Sequence, residues 1–130
     1  MNKVIPKDEE KIFKGKVAIS QTDLKGNITF VNRKFCEISG YTTDELLLSN
    51  INIIKHPDVE TATFEKMYKT LHDGQVYNGM LKNLRKDGRY YWVDIEIAPI
   101  FDDNLQITGF ISLSKPSARK NIQQKTDRTN

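Results

Sequence analysis

The chain is poor in the residues that metal sites and disulfides are made from. It has one cysteine, Cys36, and two histidines, His56 and His72, among its 130 residues. A lone thiol can neither close an internal disulfide nor build a multi-cysteine metal site. Such sparing use of cysteine fits a reducing compartment, and the cytoplasm is the expected location. Long apolar runs are missing as well, and no stretch approaches the roughly 20 residues a membrane span needs. The opening MNKVIPKDEEKIFKGK has no apolar core of the secretory kind. There is no Walker-type glycine loop, no GxSxG and no HExxH. No Ser/His/Asp set is suggested by spacing, and a non-enzymatic protein is expected. What remains is a chain of a length that suits one domain with a real core.

The net charge of +3 is unevenly spread. Residues 1–16 carry +2 and residues 115–130 carry +4, whereas 17–114 carry −3. A nucleic-acid-binding domain would hold its basic excess on the folded part, so no nucleic-acid partner is expected. The tail KPSARKNIQQKTDRTN has one Ile and one Ala as its apolar residues and reads as a polar basic linker or frayed end.

Local patterns then set an order of elements. PKDEEKIFKG reads as a short N-terminal helix, with Pro6 in its first turn, acids in its N-terminal half and Gly15 at its end. VAISQTDLKGNITFVN reads as two strands around an Asp23…Gly26-Asn27 turn. NRKFCEISGY is a short helix stopped by Gly40, and Thr42 with Glu45 has capping-box spacing. In VETATFEKMYKTLHDG, Phe64, Met67, Tyr68 and Leu71 form one helical stripe closed by Gly74. Three strands follow, VYNGMLKNLR and YYWVDIEIAPI joined across Lys86-Asp87-Gly88, then LQITGFISLS after the FDDN turn. Short connections make these three antiparallel neighbours. The fold class is α+β, a single sheet with its helices on one face.

The opening D-x-x-G-x-I-x-x-x-N-x-x-F-x-x-x-S-G-Y-x-x-x-E-L is carried by Asp23, Gly26, Ile28, Asn32, Phe35, Ser39, Gly40, Tyr41, Glu45 and Leu46. With LKNLRKDGRYYWVDIEIAPIFDDNLQITGFISL it resembles a PAS domain over about residues 17–114. The resemblance implies a five-stranded antiparallel sheet, residues 1–16 as an N-terminal cap helix, and 115–130 as a tail. Lys-His-Pro-Asp before the long helix and KNLRKDGRYYWV resemble the PAS domain of bacterial aerotaxis and energy-taxis receptors, which hold FAD non-covalently. Carried over position by position, the resemblance implies flavin contacts from Lys55, His56, Asp58 and Asn83. Lys55 stands where that pattern usually has arginine, which keeps a charge for phosphate without the bidentate fork. Tyr68 and Tyr77 stand where the flavin-binding members typically have tryptophan, and they offer smaller rings. The resemblance further implies a redox sensor that acts as a homodimer or by docking to a separate chemotaxis signalling protein.

The residues add their own readings. Alternation along 77–83 puts Tyr77, Gly79, Leu81 and Asn83 on one strand face, and Leu81 and Tyr77 point that set inward. Asn83 is then an amide on a core face, in need of partners, and Gly79 leaves room for a flat ring. His56 sits in a turn whose Asp58 is suited to capping the next helix. Two alternatives stand beside the flavin: a cofactor-free PAS docking module, and a haem sensor with His56 or His72 as ligand. Cys36 lacks the NCRFLQ setting of a photoactive LOV cysteine and reads as a small core residue.

Overall fold

The computed structural model describes residues 3–117. Strands β1 (Ala18–Asp23), β2 (Ile28–Val31), β3 (Tyr77–Leu84), β4 (Tyr90–Phe101) and β5 (Ile107–Ser117) form one antiparallel sheet in the order β2-β1-β5-β4-β3. Helices α1 (Arg33–Ser39), α2 (Thr43–Leu47) and α3 (Thr61–His72), with a 3-10 turn at Ile51–Ile54, lie between β2 and β3 in the chain. They enclose the core against one face of the sheet. Its centre is Phe35, Ile38, Leu46, Met67, Leu71, Leu81, Tyr91 and Val93, all buried.

Local chemistry explains the helix boundaries. The Asn32 side chain accepts from the amide of Phe35, capping α1, and also from the amide of Ile19, while its Nδ2 donates to the carbonyl of Val17. One residue thus starts α1 and pins it to β1. Gly40 ends α1 at φ +81°, and Thr42 and Glu45 form the reciprocal capping box of α2. On α3, Met67 and Leu71 are buried while Phe64 and Tyr68 are half-buried, so the stripe faces inward with one edge near solvent. Asp58 does not cap this helix. Glu60 occupies the N-cap without a side-chain bond, and Asp58 pairs instead with Lys82 Nζ at 2.8 Å.

Residues 3–16 contain no helix, contrary to the sequence expectation. The reason lies in the sheet. Ser117 of β5 pairs with Trp92 of β4, and the residues of β4 that precede Trp92 bond to the N-terminal segment, which runs extended along them. Lys7 donates to the Gly88 carbonyl at 2.7 Å, Tyr90 donates to Glu9 at 3.0 Å, and Lys11 donates to Tyr90 at 2.7 Å. A helix here would have no continuous apolar stripe, because Asp8 and Glu9 stand three and four residues after Ile5. Phe13 anchors the segment, edge-on to Tyr91 at 6.2 Å and 5.0 Å beneath the Arg85 guanidinium.

At the other end of the chain, Lys115–Ser117 belong to β5 rather than to a tail. Pro116 stands where β5 has passed the end of β1, the kind of position at which a strand tolerates proline. The remainder of the expected tail lies outside the described residues.

Candidate functional site

The helices do not close fully on the sheet. Between α3, the 3-10 turn and the inner faces of β1, β3, β4 and β5 lies a cavity of about 380 Å³. Met67, Leu71, Ile95, Ile97 and Phe110 give it apolar walls. Four hydroxyls, from Ser20 and Thr22 on β1 and Ser112 and Ser114 on β5, line the same space. Their period-two spacing in both strands is visible in the sequence, but small polar residues do not by themselves mark an inward face. Leu24, Lys25, Asn52 and His72 are lining residues that are also solvent-exposed, which marks the mouth.

Three of the six expected site residues meet at this cavity. Lys55 and Asn83 are joined by an isolated antiparallel bridge between the turn and β3, so one backbone contact brings both to the wall. Tyr68 reaches the same wall from α3. The Lys55 ammonium lies 4.3 Å from the Phe64 ring centre and 5.4 Å from that of Tyr68. No carboxylate pairs with it among the described residues, and burial pulls its pKa below the ordinary lysine value. Burial likewise pushes the Tyr68 phenol upward. Asn83 is buried, and its register partner on β4 is Tyr91. The Tyr91 hydroxyl is fully buried. Within strict hydrogen-bond geometry it has no partner among the described residues, and the Asn83 amide is its polar neighbour. Burial raises the Tyr91 pKa far out of range, against a smaller opposing influence of Asn83.

The other three expected residues do not line the cavity. His56 is buried beside Tyr90, edge-on at 6.2 Å, and its Nδ1 accepts the amide of Asp58 at 3.1 Å. Asp58 is exposed and held by Lys82, whose contact lowers its pKa. The Tyr77 ring lies over Gly79, with its hydroxyl about where a Cβ would contact it, so the flat ring that glycine admits is the protein's own. Of the two histidines that a haem alternative needs, His72 alone lines the cavity, at its exposed rim and edge-on to Phe110 at 5.7 Å.

The role of His56 gives a pH prediction. Burial first, and the Lys82 charge second, hold its pKa below the ordinary value, with Asp58 opposing. Its neutral form is therefore the one that folds, with Nδ1 as an acceptor. Stability from this site is complete above the unfolded histidine pKa of about 6.5 and is lost as pH falls through the lower folded value. Thermal melts of the protein and of His56→Gln should diverge below about pH 6.5, the wild type losing more. Parallel curves would show that His56 does not carry this dependence.

Residues 28–114 match a protein family described as PAS fold. The chain is 39% identical to the aerotaxis receptor of Escherichia coli over 73% of its own length and 19% of the receptor. It is 32% identical to the nitrogen fixation regulatory protein of Klebsiella pneumoniae, over 76% of the chain and 20% of that protein. It thus spans about a fifth of the length of these relatives. Among solved structures, the light-oxygen-voltage domain of the blue-light photoreceptor Aureochrome1 superposes with a TM-score of 0.77 at 20% identity, over 87% of this chain and 84% of that one. The fold is thus shared with light-oxygen-voltage domains. The chain belongs to the PAS family, a class of sensory signalling modules, and is homologous to the aerotaxis receptor.

Proposed function

We propose that this domain is a redox sensor that holds FAD non-covalently and reports to a chemotaxis signalling system in the cytoplasm. The observation that carries the reading is the cavity wall that Lys55 and Asn83 share, a lysine with no carboxylate partner among the described residues and a buried amide, joined through their backbones. Its volume is near the lower end of the ~300–1,000 Å³ typical of small-molecule sites, sufficient for a fused ring system. Buried amides persist only with partners, and a ring edge with adjacent donors and acceptors suits the Asn83 side chain. Lys55, with no carboxylate partner among the described residues, suits a phosphate. The kinship with the aerotaxis receptor supports the choice of signalling system.

A bound flavin supplies reversible electron uptake coupled to protonation of its ring. This chain's part is to register that change. Asn83 presents both a donor and an acceptor, so it responds by rotating its amide. Its neighbour Tyr91 packs on Phe13, and Phe13 holds the N-terminal segment along β4. Two arrangements of Asn83 and Tyr91 therefore bias two dockings of that segment, and a homodimer or a separate signalling protein reads the difference.

Cys36 lies on α1, with Sγ 3.3 Å from Thr43 Oγ1, and is not among the cavity-lining residues. A thiol–ring photoadduct is therefore not the proposed chemistry. The test is an absorption spectrum of the purified protein, followed by denaturation and chromatography of what is released. Flavin bands, released FAD and a bleaching by dithionite that reverses in air are expected. Cys36→Ser should leave the spectrum and its light response unchanged. A colourless protein that takes up no added flavin would overturn the proposal and favour a cofactor-free docking module.

A further inference from the structure

The cavity does not end at its mouth. An open groove of about 450 Å³ adjoins it, and Leu24 and His72 line both spaces. The groove is otherwise built from the end of α3 and the β4–β5 hairpin, with Phe101, Leu105 and Ile107 as its apolar surface and Asp73 and Gln106 as its polar groups. Its apolar members are unusually open to water. Leu105 is 79% exposed, Leu24 51% and Phe101 47%.

Leu105 is also in a conformation that leucine avoids, at φ +63°, alone among the described non-glycine residues. The turn that contains it repeats the β1–β2 turn. Asp102 accepts from the amides of Asn104 and Gln106, and Asp23 accepts from those of Lys25 and Asn27. The position equivalent to Leu105 is Gly26, at φ +86°. The third hairpin likewise has a glycine, Gly88, at its positive-φ position. A glycine at 105 would relieve both the backbone strain and the exposure. The fold gains nothing visible from the leucine, which points to a use outside the fold.

The cavity volume admits a ring system but not a whole dinucleotide. Resting on the flavin reading above, we infer that the groove is the seat of the second ring, the adenine of FAD, which leaves the cavity past Leu24 and His72. Leu105 and Phe101 supply flat apolar contact to that ring. Asp73 and Gln106 supply acceptors for its exocyclic amine, a donor that a mononucleotide lacks. The groove therefore selects the dinucleotide over FMN and riboflavin.

The test is titration of the full chain, freed of any flavin, with riboflavin, FMN and FAD separately, followed by flavin fluorescence. The wild type should bind FAD at least tenfold more tightly than FMN. Leu105→Gly should melt at a higher temperature than the wild type and yet lose most of the preference for FAD, with FMN affinity unchanged. Phe101→Ser should lose the same preference. Equal binding of FMN and FAD, or a preference that survives both substitutions, would overturn the inference while leaving flavin binding intact. Failure of all three flavins to bind would instead sink the reading it rests on, and the inference with it.

Discussion

Gly109→Ala should destabilise the domain by about 3 kcal/mol, the upper end of what overpacking a well-filled site costs. Gly109 is buried in β5 between Asp23 of β1 and Ile100 of β4. A Cβ there would run into the carbonyl oxygen of Thr22, which is backbone and cannot swing away. Relief requires β1 and β5 to separate at this end. Because Thr22, Leu24 and Lys25 all line the cavity, the same movement would open its mouth. Urea unfolding should show a lower midpoint, and the surviving folded protein should bind flavin less well. A midpoint equal to that of the wild type would mean that the strands are not in this close approach.

Elements set by neighbours in sequence were legible before the structure. The stop at Gly40, the Thr42–Glu45 capping box and the hairpin across Lys86-Asp87-Gly88 each need only a few consecutive residues, and all three are present. The inward face of β3 was legible too, since alternation alone puts Leu81 and Asn83 on the side that proves buried. Features set by distant partners were not. The extended N-terminal segment depends on backbone bonds to Gly88 and Tyr90, which lie some 80 residues further along the chain. Asp58 has good capping chemistry, but Lys82 lies across from it on β3 and takes the carboxylate. The direction of the His56 ring depends on Tyr90 at the start of β4. Sequence could place this histidine in a turn beside the cavity but could not tell whether its ring faced inward to a ligand or sideways into the protein. Of the residues that the resemblance assigns to the flavin, Lys55, Tyr68 and Asn83 line the cavity, and the proposed site is built on these three.

Asn83→Leu should weaken flavin binding at a modest cost in stability. Leucine is close in volume to asparagine, and the position is buried between β3 and the cavity. Replacing the amide by an apolar group strips the buried Tyr91 hydroxyl of its polar neighbour, so stability should fall by about 1–3 kcal/mol. Binding by the protein that remains folded should fall as well. A polar ring edge pressed against leucine is left without its hydrogen bonds, which costs about 1–3 kcal/mol, or roughly 5- to 150-fold in affinity. Lys55→Ala should weaken FAD on the order of tenfold through loss of a charge-assisted contact. Its effect should shrink at high salt and should be absent for riboflavin, which has no phosphate. Lys55→Arg should restore FAD binding, because the guanidinium supplies the same charge with a fork that phosphate accepts in pairs. The decisive comparison is therefore a two-by-two titration, with wild type and Asn83→Leu against FAD and riboflavin. Loss of both ligands assigns Asn83 to the ring and not to the phosphate arm. Retention of riboflavin by Asn83→Leu would move the ring elsewhere in the cavity and remove Asn83 from the proposed signalling route through Tyr91 and Phe13.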